Sequence, residues 1–259
     1  MDDTILVQRD GAIATVVLNR PDKLNALTRT MWQRLGRVFD ELHADDALRC
    51  IVIRGAGTRA FAPGNDIAEF ASERSNVEQA RAYGDDMRRT IEAIGGCRHP
   101  IVAQIHGICV GGGLEIAGLA DLRICGESSR FGVPIGKLGL VMAHAEIGAL
   151  IALVGEATAL EILLEGRVFD AREAKDKRLV TRVVPDDQVE AEAWAAAQRI
   201  AEGAPLVARW HKQFARRLRD PAPLTEAEYA EGFACFGTED FRTGYRAFLA
   251  KQPPVFQGK

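Results

Sequence analysis

Several things are missing from this 259-residue chain, and each absence removes a class of function. No apolar run approaches the ~20 residues that a membrane-spanning helix needs. There is no basic excess: 33 Lys+Arg stand against 36 Asp+Glu, a formal net charge of −3, whereas a dedicated nucleic-acid binder carries surplus positive charge. The start, Met1-Asp2-Asp3-Thr4, is acidic where a secretory signal would be basic. Paired cysteines are missing too. Cys50, Cys97, Cys109, Cys125 and Cys235 are scattered, odd in number and set in apolar contexts such as Arg49-Cys50-Ile51-Val52-Ile53, so neither a disulfide framework nor a zinc site is expected. The histidines form no His-x-x-x-His pair, and metal chemistry is set aside. What the chain does have is apolar content, 47% of residues, too rich for disorder and ample for a packed core. These observations predict a soluble, cytoplasmic protein with no membrane or nucleic-acid partner.

Periodicity gives the organisation. Thr4–Gln8 and Ala12–Leu18 read as strands joined by Arg9-Asp10-Gly11, an Asp-Gly hairpin signal. A helix is predicted after Thr28, with Leu35, Val38, Phe39 and Leu42 on one face. Cys50–Arg54, Ile101–Ile105, Leu122–Cys125 and Leu179–Val184 read as buried strands. Helical patterns over Asn76–Ile94, Gly113–Ala120, Glu156–Leu164 and Ala171–Arg178 lie between them. After Pro185 only helices are predicted: Asp186–Glu202, Pro205–Arg219 and Leu224–Ala250. The expected organisation is an α/β body over residues 1–200 and a helical region over 201–259. No low-complexity linker separates them, so the tail should dock.

Two loops stand out. Gly107-Ile108-Cys109-Val110-Gly111-Gly112-Gly113-Leu114-Glu115 places three consecutive glycines between a strand and a helix. Such a run is entropically costly, and its use is a backbone that a ligand can approach, at a helix N-terminus whose dipole favours an anion. Tight strand–helix packing is the plainer alternative. Glu115 lies beside that site with no basic partner in sequence, although a helix-start carboxylate is also favoured by the dipole. Ala60-Phe61-Ala62-Pro63-Gly64-Asn65-Asp66-Ile67-Ala68-Glu69-Phe70 is the second, by itself a turn with a cap. Gly55-Ala56-Gly57-Thr58-Arg59-Ala60 resembles the start of a dinucleotide fingerprint, but Phe61-Ala62-Pro63-Gly64 follows where a helix should begin.

Together the loops resemble the enoyl-CoA hydratase/isomerase, or crotonase, superfamily. Ala60–Ile67 is similar to its first oxyanion loop, A-F-x-A-G-x-D-[IL], and His106–Glu115 to its second. Asn19–Leu27, Phe131-Gly132-Val133-Pro134 and Ala247–Phe256 resemble its opening, middle and C-terminal signatures. The resemblance spans the chain and implies a spiral of ββα repeats with a helical C-terminal trimerisation region, as a homo-trimer or homo-hexamer. It implies a coenzyme A thioester as substrate and no separate cofactor. It also implies that the backbone N–H groups of Asn65 and Gly112 hold the thioester oxygen. Asp66, Ile67 and Ala68 fall on the stretch lining the coenzyme A site, and Lys23 and Lys251 fall where phosphate contacts are expected.

One departure matters. The family's hydratases carry a second glutamate directly after F-x-x-P, and this chain has Ile135 there. The reading is therefore a hydratase or lyase using Glu115 alone, poor with short, simple enoyl-CoA. A decarboxylase, an isomerase, a thioester hydrolase and a non-catalytic coenzyme A binder are the alternatives. His144, and after it Glu146, are the candidates for a missing acid.

Overall fold

The computed structural model describes residues 3–259, so Met1 and Asp2 of the acidic start lie outside the described residues. Strands β1 (Ile5–Asp10) and β2 (Ile13–Leu18) form the expected antiparallel hairpin, with Gly11 in the left-handed conformation at φ +55°. Helix α1 (Arg29–Ala44) starts where Thr28 accepts the Met31 N–H at 3.2 Å. Its Met31, Leu35, Val38, Phe39 and Leu42 recur at helical spacing and are buried.

Three turns of the chain then repeat one plan: a strand, a tight bend, a short second strand and a helix. They are β3 (Cys50–Gly55), β4 (Ala60–Ala62), the single-turn α2 (Phe70–Glu73) and α3 (Val77–Gly96); β5 (Ile101–Ile105), β6 (Ile108–Val110) and α4 (Gly112–Gly118); β7 (Leu122–Gly126), β8 (Arg130–Gly132), α5 (His144–Val154) and α6 (Glu156–Glu165). β9 (Phe169–Asp170), α7 (Ala171–Asp176) and β10 (Arg182–Val184) complete the sheets. The larger sheet runs β1-β2-β3-β5-β7-β10, parallel from β2 onwards, and the smaller runs β4-β6-β8-β9. Each turn thus adds one strand to each sheet, which makes the chain a spiral.

Alternation along the large sheet separates two cores. Ile51, Ile53, Ile101, Ala103 and Ile105 face the main core between the sheets. Cys50, Val52, Val102 and Ile124 face α8 (Val189–Glu202), packed against its Ala193, Ala196 and Ala197. α9 (Pro205–Arg217), α10 (Glu226–Glu231) and α11 (Glu239–Ala250) follow. The tail is fixed to the body: Arg49 donates to the carbonyls of Ala201 (2.9 Å) and Phe256, and Lys212 donates to the His99 carbonyl (2.6 Å).

The structure departs from the sequence expectation in four places, the first being α5, a helix missing from the predicted elements. The smaller sheet has strands of two or three residues, too short for any period to show. Strand β10 keeps only the end of Leu179–Val184. Leu224–Ala250 is not one helix: Thr225 and Thr238 each cap a new start, and Gly232 and Gly237 close the segments before the second. The Gly55-Ala56-Gly57 turn leads into β4, not a helix, which removes the dinucleotide reading.

Candidate active site

The first loop is held in place from below. Buried Asn25, at φ +65°, donates to the carbonyls of Ala60 (2.8 Å) and Ala56 (3.1 Å) and accepts the Arg20 N–H at 3.0 Å. The Arg20 guanidinium bonds the Asp66 carboxylate at 3.0 Å, and Asp66 also accepts the Ala68 N–H at 3.1 Å. Burial pushes the Asp66 carboxyl up, but Arg20 and the Ala68 N–H outweigh it, and the net shift is downward. Leu27 brackets the loop: its N–H bonds the Gly64 carbonyl at 2.8 Å, and its carbonyl accepts the Asp66 N–H at 2.7 Å. That pairing turns the Asn65 N–H away from Leu27.

The second loop meets the first backbone to backbone. A Cβ at Gly64, where φ is +110°, would lie 3.3 Å from the Gly112 nitrogen. At Gly113 a Cβ would fall 2.1 Å from the Ala62 carbonyl oxygen, so no other residue fits without moving β4. Gly112 opens α4, and the first N–H groups of a helix have no intrahelical acceptor. The N–H groups of Asn65 and Gly112 have no hydrogen-bond partner among the described residues. Two adjacent loops therefore present two unpaired main-chain donors.

The Asn65 side chain does not fill the space in front of them. Its Oδ1 accepts the Trp32 indole N–H at 2.7 Å, and its amide nitrogen points at the Met87 sulfur at 3.7 Å. Trp32 is fully buried, and its own carbonyl accepts the Thr90 hydroxyl at 2.7 Å.

One turn along α4 from Gly112, Glu115 borders a cleft lined by Leu114, Val133, Met142, Leu150, Leu153 and, from α5, Glu146. Part of the Glu115 side chain faces the cleft, while its Oε2 is sealed from solvent without a hydrogen-bond partner among the described residues. Burial first, and then the charge of Glu146, push the Glu115 carboxyl up to about 8, against the pull of Arg74. Burial raises Glu146 as well, opposed by the Ala143 N–H it accepts at 2.5 Å and by Arg74. Arg74 is held over the rings of Phe70 and Tyr83, 4.9 and 4.8 Å from their centroids.

Of the two candidates for a second acid, the structure reverses the order: Glu146, not His144, lines the cleft with Glu115. His144, two residues earlier, is on the exposed face of the first turn of α5 and does not line the cleft. Ile135 packs against the main core, so the second carboxylate enters from the next helix. The only sequence signal for Glu146 was a glutamate at the third position of a helix, which reads as a cap, and it is one: it accepts the Ala143 N–H. Arg20, Asn25 and Trp32 were also missed as supports of the first loop. Lys23 is exposed beside that loop, where its charge helps to hold Asp66 down. Ile67 and Ala68 are exposed on the same stretch. Lys251 ends α11 at φ +53° and makes no hydrogen bond or ion pair with the two loops among the described residues. Among the described residues no cluster of His, Cys, Asp or Glu could hold a metal ion, and no helix is long and apolar enough to cross a membrane.

Solved structures share this architecture throughout. A crystal structure from Magnetospirillum magneticum, described as an enoyl-CoA hydratase/carnithine racemase, is 51% identical, with a TM-score of 0.97 over 100% of this chain and 97% of that one. A Hyphomonas neptunium protein, a putative enoyl-CoA hydratase/isomerase family protein, is 36% identical with a TM-score of 0.94 over 99% and 98%. The fold is the crotonase fold. In sequence, the probable enoyl-CoA hydratase echA8 of Mycobacterium bovis is 35% identical over 257 residues, 98% of each chain. The pattern defining the enoyl-CoA hydratase/isomerase family matches residues 8–259, and the chain belongs to that family as one of its enzymes.

Proposed function

We propose that the protein is an acyl-CoA hydratase or lyase that stabilises a thioester enolate between the N–H groups of Asn65 and Gly112 and moves its protons with Glu115 and Glu146. The observation that carries this is the sequence of groups along one helix: an unpaired donor at Gly112, then a buried carboxyl one turn on, with a second carboxyl across the cleft. A thioester Cα–H becomes acidic only when the charge arriving on oxygen is met, and two preorganised N–H groups meet it. The pair of carboxyls titrates as a unit, because ionisation of one disfavours ionisation of the other. In hydration, the ionised member takes a proton from water as the oxygen adds at Cβ, and the protonated member delivers one to Cα. The reverse sequence eliminates water.

Coenzyme A enters as part of the substrate, with no separate cofactor. Asp66, Ile67 and Ala68 would border it, the Lys23 ammonium would meet its phosphates, and Lys251 would reach those of a neighbouring subunit's substrate. Gly112→Pro tests the donor assignment. Proline is accepted at the first position of a helix, but a Cβ at Gly112 would lie 3.1 Å from the Trp32 ring, so Gly112→Ala, which keeps the N–H, is the steric control. In Gly112→Pro, turnover of an acyl-CoA substrate should fall by ~10²–10³-fold with an unchanged circular dichroism spectrum. A folded variant with normal turnover would remove Gly112 from the mechanism.

The reading includes assembly as a homo-trimer or homo-hexamer. Phe233, Phe236, Tyr245, Phe248 and Leu249 of the C-terminal region are exposed in the single chain, Phe248 by 82%, although α11 and the turn before it form a defined surface. Contiguous exposed aromatics of this size mark an interface. Light scattering at micromolar concentration should give a multiple of 28.2 kDa. A stable monomer would contradict it.

A further inference from the structure

We infer that the acyl group this protein works on ends in a carboxylate, received by a cationic cavity at the far end of the acyl cleft. The inference rests on the acyl-CoA reading above and names the substrate class for the same site.

The cleft follows α4 from Glu115 towards its C-terminal end, and α5 from Glu146 towards Leu153. A second cavity, of about 210 Å3, continues in the same direction. Gly118, Leu119, Ala149 and Leu153 line both. Beyond them the lining turns from apolar to charged: Asp121, Arg123, Arg216 and Arg219. Gly118, the last residue of α4, is about 4.5 Å along the helix from Glu115, and the change begins beyond it. Leu119 and Leu153 border both spaces, so an acyl chain running from one to the other would pass beside them.

The charge around the cavity is unbalanced. Its one carboxylate, Asp121, is already engaged: Lys212 bonds it at 2.6 Å, and it accepts the Ile101 N–H at 2.7 Å. Arg123 donates to the carbonyls of Leu179 (2.8 Å) and Ala120, and Arg216 to the carbonyl of Cys97 (2.9 Å). Arg219 is exposed at the rim, and no anion is paired with it among the described residues. Three guanidiniums and one ammonium therefore surround one neutralised carboxylate. Burial lowers the pKa of Arg123, Lys212 and Arg216, and the charge of Asp121 offsets this only in part. Lys212, Arg123 and Arg216 also tie the tail and β7 to their neighbours, but the Arg219 side chain has no such partner among the described residues, and a planar carboxylate matches its guanidinium fork.

The test compares chain-length-matched 2-enoyl-CoA thioesters with and without a terminal carboxylate. The readout is the ratio of their kcat/KM values in the unmodified enzyme, in Arg219→Ala and in Arg216→Ala. Arg219 is exposed, so its variant keeps the fold even if loss of the Arg216–Cys97 bond does not. The expected ratio is roughly 10- to 100-fold in favour of the carboxylated thioester, the size of a charge-assisted hydrogen bond. It should collapse towards one in Arg219→Ala, and Arg219→Lys should restore part of it. A wild-type ratio near one, with either thioester turned over, overturns the inference while leaving the acyl-CoA reading standing. A preference unmoved by both variants also overturns it. Failure to bind or turn over any thioester defeats the acyl-CoA reading itself, and this inference with it.

Discussion

Glu115→Gln should abolish turnover and at the same time stabilise the protein at alkaline pH. Loss of a general acid or base costs about 10²–10⁴-fold in rate, and the glutamine side chain would keep the shape of the original while carrying no titratable charge. The stability effect follows from the raised carboxyl. Glu115 sits at about 8 in the folded protein against an ordinary value of 4.5, so its ionisation favours the unfolded chain. The stability contributed by its protonated form is complete below about pH 4.5 and is lost as pH rises through about 8. The variant cannot lose it. Its melting temperature should therefore exceed that of the unmodified protein by a few degrees near pH 8, with the gap closing towards pH 4.5. Thermal melts at both pH values, beside activity assays, check the two halves together. A variant that loses activity and is also less stable at the higher pH would mean that Glu115 is a structural group.

Glu146→Gln should cost a similar ~10²–10⁴-fold in kcat/KM, and it should also move the pH profile. In the unmodified enzyme one member of the pair must be protonated and one ionised, which gives a bell-shaped profile whose alkaline limb lies near pH 8. Removing the Glu146 charge takes away one of the two influences that raise Glu115, so the alkaline limb of the residual activity should shift to lower pH. His144→Ala, on the exposed side of the same turn, should leave the profile where it was. A Glu146→Gln profile identical to wild type would return Glu146 to its role as a helix cap. With a second carboxyl in the cleft, Ile135 by itself no longer argues for a weak hydratase.

How much of this was legible beforehand depended on scale. Long elements announced themselves: α1 through its apolar stripe and Thr28 cap, and β3 and β5 through runs buried on both faces. Strands β4, β6 and β8 did not, because three residues hold no period, and their place is set by pairing between turns of the spiral. The two glycine loops were readable because glycine is costly, and Gly113 shows the reason in one distance: a Cβ there would fall 2.1 Å from the Ala62 carbonyl oxygen. Glu115 was readable as an acid beside those glycines. Glu146 was readable only as a candidate ranked below His144. It lies 31 positions further on, its local role as a cap is complete in itself, and only the crossing of α5 over α4 brings it to the cleft. Trp32 was likewise hidden, since a buried tryptophan on an apolar helix face needs no further explanation until its indole N–H is seen on Asn65.

The central claim is that Glu115 exchanges a proton with the α-carbon of an acyl-CoA thioester held by Asn65 and Gly112. Incubating a panel of acyl-CoA thioesters with the enzyme in deuterated water, and reading mass spectra for deuterium at the α-carbon, tests that step whatever reaction follows it. The account predicts enzyme-dependent deuterium incorporation into at least one thioester, lost in Glu115→Gln. Incorporation at an undiminished rate in Glu115→Gln, or none with any thioester in the unmodified enzyme, would contradict it.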